Sequence, residues 1–156
     1  MSENPVFRIL AKILFGPIIL YGLYVQFHGD FGPGGGFQAG VIIAAAFILY
    51  ALVFGLEKAM RLLPPRAVIW LMATGVLLYG GVGVATVLLG GRYLEYGLLA
   101  GNLAAGQHIG IILVELGVGI TVTSVMLCLY YAFAGYRGKD EATSSKADNA
   151  EHKGGL

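Results

Sequence analysis

Phe37-Gln38-Ala39-Gly40-Val41-Ile42-Ile43-Ala44-Ala45-Ala46-Phe47-Ile48-Leu49-Tyr50-Ala51-Leu52-Val53-Phe54-Gly55-Leu56 carries no charged side chain from end to end. A helix rises about 1.5 Å per residue, so a run of this length matches the roughly 30 Å hydrocarbon core of a bilayer. Three further apolar runs flank it: Val6 to Phe27, Ala67 to Leu89, and Ile109 to Phe133. The first has Arg8 and Lys12 near its start, the Ala67–Leu89 run is uncharged, and the last holds one carboxylate, Glu115. The expected fold is all-α: an integral membrane bundle of four transmembrane helices at about 6–27, 37–56, 67–89 and 109–133. Residues 6–134 form the membrane domain, and 135–156 are expected to be a disordered cytoplasmic tail, because almost nothing after Gly135 is apolar.

Composition points the same way. Of 156 residues, 57% are apolar and 12% charged, about half the charge of a soluble domain, too little to cover a water-facing surface. That excludes a soluble enzyme. A net charge of +1 without a basic block excludes a nucleic-acid binder. The single cysteine, Cys128, excludes a disulfide framework and a Cys-based zinc or iron–sulfur site, and in its apolar run it reads as a small hydrophobe. No cofactor and no metal are expected.

The first run begins with positive residues, as a signal peptide does, but no small-x-small cleavage site follows Val25-Gln26-Phe27. It is read as a retained helix bent at Pro17, whose ring and missing N–H disturb the preceding turn. Arg8, Lys12, Lys58, Arg61, Arg66, Arg137 and Lys139 cluster at one set of span ends, whereas the other connections hold only Arg92. The positive-inside bias therefore puts both termini and the 57–66 connection in the cytoplasm. Gly75, Gly80, Gly81, Gly83, Gly117 and Gly119 lie within spans. Small residues let helix backbones approach closely, so this excess predicts packing against other membrane chains.

Two places carry candidate chemistry. The connection His28-Gly29-Asp30-Phe31-Gly32-Pro33-Gly34-Gly35-Gly36 cannot favour a helix, and it lacks the Lys-Ser/Thr of a phosphate loop and the filter motif of a potassium channel. It reads as a constrained outer turn in which His28 and Asp30 are close enough to interact. Glu115 is the sharper signal. A charge at the bilayer centre costs about 2.5–3.5 kcal/mol or more, so such residues face a bundle interior or a water-filled path. A carboxylate there can take and release a proton or briefly hold a sodium ion. His108 lies two turns outward on the same face, and Val122 and Met126 are expected to continue that face inward without a polar group. Thr86, Thr121, Thr123 and Ser124 read as hydrogen-bonders to their own helix backbones.

Pro33-Gly34-Gly35-Gly36-Phe37-Gln38-Ala39-Gly40 resembles the P-G-G-G-F-x-x-G hallmark of the MnhB/MrpB family, the B subunits of Mrp-type multi-subunit sodium/proton antiporters. Val114-Glu115-Leu116-Gly117-Val118 resembles the same family's acidic-Leu-Gly-Val motif in the last span, where many members carry Asp. The resemblance spans roughly Ile9 to Phe133. It implies an accessory membrane subunit of a Na+/H+ antiporter in a bacterial inner membrane. The implied partners are large antiporter subunits similar to those of respiratory complex I, small membrane subunits, the transported Na+ and H+, and the bilayer. Of the ion-path candidates Glu115, His108, His28 and Asp30, the resemblance itself carries over Glu115; the other three rest on the residue reading above. Pro33, Gly34, Gly35, Gly36, Phe37, Gly40 and Gly117 are the motif and packing positions. His28 lies five residues before Pro33, where many members place a His three before it. Two other readings stand beside this one: the non-redox membrane subunit of a hydrogenase-like ion pump, and a purely structural scaffold.

Overall fold

The computed structural model describes residues 5–29, 32–99 and 101–154, with side chains excepted at 98 and from 137 onward. Among the described residues, the chain is helical: α1 (Pro5–His28), α2 (Gly36–Phe54), α3 (Leu56–Leu62), α4 (Pro65–Leu88) and α5 (Leu103–Gly154), with a 3-10 turn at Tyr96–Leu99 before α5. Four of these helices are long and apolar enough to cross a membrane: α1, α2, α4 and the Leu103–Tyr136 part of α5. The helical backbone of α5 continues past that apolar part to Gly154.

The span ends have local causes. Gly55 adopts φ +94°, a conformation open to glycine, and so turns α2 sharply into the short α3. That turn ends the span just short of Leu56 and makes the 57–66 connection partly helical. Pro64 and Pro65 then start α4 where a missing N–H costs nothing. α5 begins earlier than its apolar run, because the Asn102 side chain accepts from Ala104 N–H at 3.2 Å and caps the helix start. The helix runs unbroken through Pro17.

α5 is the centre of the bundle, packed between α2 and α4, while α1 packs along α2. α2 and α5 run parallel: Gly36 meets Glu115 and Gly119 at one end, and Ala51 joins Leu127 and Tyr131 at the other. Buried positions are mostly small. Ala39, Ala44, Ala46, Ala51 and Ala59 lie inside, whereas Phe37, Trp70, Leu77 and Leu88 point outward. This inversion of a soluble core is what membrane packing produces. Lipid rewards no burial of large apolar groups, so close backbone contact between small residues supplies the cohesion.

One end of the bundle is fastened by Tyr131, whose hydroxyl donates to the carbonyl of Leu63 at 3.1 Å. Arg8 and Lys12 lie over the Phe54 ring at 6.0 and 5.8 Å, bringing the start of α1 to the same end as α3, with Lys58 and Arg61. The glycine loop and the 89–102 connection share the opposite end. There Thr86 accepts from Leu94 N–H at 3.0 Å, and the Tyr93 ring covers Gly83.

Candidate functional site

The glycine loop folds back on the end of α1. Gly32 N–H donates to His28 O at 3.1 Å, and Gly35 N–H to Val25 O at 3.2 Å. A methyl added at Gly34 would lie 2.8 Å from Val25 O and 3.0 Å from Gly29 N, so only glycine fits this return. Gly35 has φ +125° and sits at the N-cap of α2. The three glycines therefore close the α1–α2 turn tightly and deliver the start of α2 against α5.

Glu115 is half-buried where that start meets α5. A methyl at Gly29 would fall 2.5 Å from its Oε1 and 2.6 Å from Oε2, and one at Gly35 would fall 3.2 Å from Oε1. The carboxylate thus occupies space that the loop glycines leave open. One helical turn around, Gly36 rests on the Glu115 backbone carbonyl, and a methyl at Gly40 would lie 2.8 Å from Gly119 O. Gly36 and Gly40, four residues apart, let α2 and α5 cross at backbone contact. Gly117, on the other face of α5, does the same against α4: its added methyl would lie 2.9 Å from Gly75 O.

The electrostatics follow from this crossing. The first N–H groups of a helix lack intrahelical acceptors, and the macrodipole puts about half a positive charge there. α2 has no side-chain cap at Gly35, and its first internal bond runs from Ala39 N–H to Gly35 O at 3.1 Å. The Glu115 carboxyl group lies beside this positive end, inside an apolar span. That end of α2 favours negative charge on a group so placed.

The other expected residues are distributed as follows. His28 is half-buried at the end of α1 and stacks on Tyr24 with ring centroids 5.0 Å apart. A methyl at Gly32 would be 3.4 Å from its Nε2, so His28 lines the glycine loop. Asp30 lies outside the described residues. His108 is exposed near the start of α5, about 10 Å along the helix axis from Glu115. Pro33 and Phe37 border an outward groove with Tyr21 and Val25, and Phe37 is 60% exposed. Beyond the spans, burial beside Tyr79 and Tyr93 pushes the Tyr96 phenol above its ordinary value.

Val122, on the Glu115 face, packs on Gly40, and Met126 further along it is 37% exposed. Polar groups lie around the helix from this face, at Thr123 and Ser124 beside Gly119, joined by Gln26 from α1. Gln26 is 5% exposed, and its Oε1 fills the space that a side chain at Gly119 would need. Its Nε2 is buried with no protein acceptor among the described residues, a state that costs about 1–3 kcal/mol if nothing else accepts. Thr123 donates to Gly119 O at 2.8 Å and reaches Gly40 O at 3.1 Å, and Ser124 donates to Ile120 O at 2.7 Å. The hydroxyls thus bond to helix backbones as the sequence suggests, with their acceptor lone pairs still available. The only sequence signal for Gln26 is an amide in the last turn of an otherwise apolar run.

A family described as "Domain related to MnhB subunit of Na+/H+ antiporter" matches residues 6–128, which takes in nearly all of the first three spans, most of the fourth, the glycine loop and Glu115. The chain belongs to the MnhB family. It is 32% identical over 139 residues to a Staphylococcus haemolyticus protein (strain JCSC1435) named "Putative antiporter subunit mnhB2", covering 86% of this chain and 98% of the relative. The protein of that name from Staphylococcus aureus (strain MRSA252) is 33% identical over 141 residues, with 88% and 99% covered. As an MnhB-type subunit of a Na+/H+ antiporter, the chain is a multi-pass membrane component of a transporter rather than an enzyme, and other antiporter subunits are its partners.

Proposed function

We propose that this MnhB subunit lines the ion path of its antiporter, with Glu115 as the group that exchanges a proton or Na+ at membrane depth. The observation that carries the reading is the seat of the carboxylate: against Gly29 and Gly35, beside the N-terminus of α2, in space that a methyl group would close. His28, lining the same loop, and His108, two turns outward on α5, form the outer approach, together with Asp30.

The subunit sits in the bacterial plasma membrane with both termini and α3 on the cytoplasmic side. The clustering of Arg8 and Lys12 over Phe54 at the α3 end supports this orientation. Residues 135–156 act as a soluble cytoplasmic tail. The outward-facing large side chains of α1 and α4 pack against the complex I-like antiporter subunits and the small membrane subunits. Close backbone packing of Gly36 on Glu115 also favours a second reading, in which the residue is a structural joint.

Cation-dependent proton exchange in vesicles holding the whole complex separates the two readings. Glu115→Gln, nearly equal in shape, is expected to abolish exchange while the complex assembles normally on a native gel. Normal exchange in the assembled variant would sink the ion-path reading, and loss of assembly in both Glu115→Gln and Glu115→Ala would establish the joint.

A further inference from the structure

Inward of Glu115, a cavity of about 250 Å³ opens between α1, α2, α4 and α5. Gln26 and Gly119 border it at the Glu115 end, Thr123 and Ser124 along its length, and Leu63 and Leu71 toward the α3 end. The α5 residues lining it, 116, 119, 120, 123 and 124, form one helical face, turned by about 100° around the helix from Glu115. From Leu116 to Ser124 this face descends about 12 Å, over a third of the thickness of the hydrocarbon core.

We propose that this cavity binds water, anchored by the Gln26 amide and the Thr123 and Ser124 hydroxyls, and forms the inward continuation of the Glu115 site. Gln26 is 5% exposed, its Oε1 is turned toward Gly119, and its Nε2 finds no protein acceptor among the described residues. A buried amide donor needs an acceptor, and a water bridging two to four polar groups is the usual one in a space this large. Thr123 and Ser124 have committed their hydroxyl protons to Gly119 and Ile120 carbonyls, so each can only accept from such a water. Donor and acceptors therefore line one cavity, whose nearest α5 wall to Glu115 is Leu116 and Gly119. Gln26 acts as a positioning residue that holds the water.

The proposal rests on Glu115 being an ion-path group only for its transport role; hydration of the cavity is tested separately. In the assembled antiporter with Cys128→Ala in this subunit, Ser124→Cys places a thiol on the cavity wall. A thiol in dry apolar surroundings stays protonated and unreactive, whereas one facing water ionises and is modified. Rapid labelling by a small cationic methanethiosulfonate reagent is expected. Gln26→Met, of equal length but without a donor, is expected to slow labelling by about tenfold and to lower exchange with Glu115 intact. Glu115→Gln is expected to leave labelling unchanged, so failure of the Glu115 reading would show in exchange alone. Labelling of Ser124→Cys no faster than at a lipid-facing control such as Leu77→Cys would overturn the proposal. So would labelling and exchange that are both indifferent to Gln26→Met in an assembled complex.

Discussion

Two glycine-to-alanine substitutions in the same loop should fail in different ways. At Gly36 the added methyl would collide with the Glu115 carbonyl oxygen and lie 2.8 Å from its carbon and 3.0 Å from Gly119 N. All three are backbone atoms of α5, held in a helix and unable to swing aside. To restore even a tight 3.4 Å contact with the carbon, α2 and α5 must part by at least roughly 0.6 Å, and such overpacking costs about 1–3 kcal/mol. At about 1.4 kcal/mol per factor of ten, the assembled fraction falls between about fivefold and 150-fold. At Gly29 the three atoms nearest the methyl are Glu115 Oε1, Oε2 and Cδ, the far end of a flexible side chain. That carboxylate can move, so the fold should survive with its key group displaced by about 1 Å, a misplacement that can cost up to about a hundredfold in rate. The assay is paired: native-gel assembly of detergent-extracted complex after graded heating, and cation-dependent exchange in vesicles. Gly36→Ala is expected to lose assembly, and Gly29→Ala to assemble fully yet lose at least about tenfold in exchange. Gly80→Ala, with nothing within 4 Å, is the neutral control. The reasoning is refuted if Gly36→Ala assembles and resists heat like the wild type, or if Gly29→Ala exchanges normally.

Other consequences can be checked alongside. Tyr131→Phe removes the hydroxyl bonded to Leu63 O and should cost about 1 kcal/mol, read as a lower temperature of loss of assembly with exchange per assembled complex unchanged. Burial raises the Tyr96 phenol above 10.0, so the folded state holds this proton more tightly than the unfolded one. The resulting stabilisation is complete below the ordinary tyrosine value and is lost as pH rises through the raised one. The Tyr96 contribution should therefore be constant across about pH 6–9, and Tyr96→Phe should be more alkali-resistant than the wild type when loss of assembly is followed against pH. Truncation after Gly135 should leave assembly and exchange unchanged, because the sequence from there on is almost wholly polar. A severe loss on truncation would make 136–156 a docking element.

The sequence by itself determined the number and position of the spans, since twenty uncharged apolar residues have few alternatives to crossing a bilayer as a helix. It also marked Glu115, because a carboxylate in an apolar run is costly enough to need a reason, and it marked the glycine loop, because three consecutive glycines rule out helix there. The MnhB hallmark was readable for the same reason: it consists of residues whose identity, rather than their surroundings, carries the signal. What pairs with what was decided by tertiary structure. That Gly29 and Gly35 give clearance to Glu115 is a contact between α5 and a loop some eighty residues earlier, set by the parallel crossing of α2 on α5. Gln26 illustrates the limit most clearly. Along the chain it is one amide at the end of an apolar run, and only the packing of α1 over Gly119 turns it into a buried donor at the head of a cavity. Hydrophobicity is local and additive, so it can be read residue by residue. The partner of a buried polar group depends on which helix faces are brought together, and that is a property of the folded bundle.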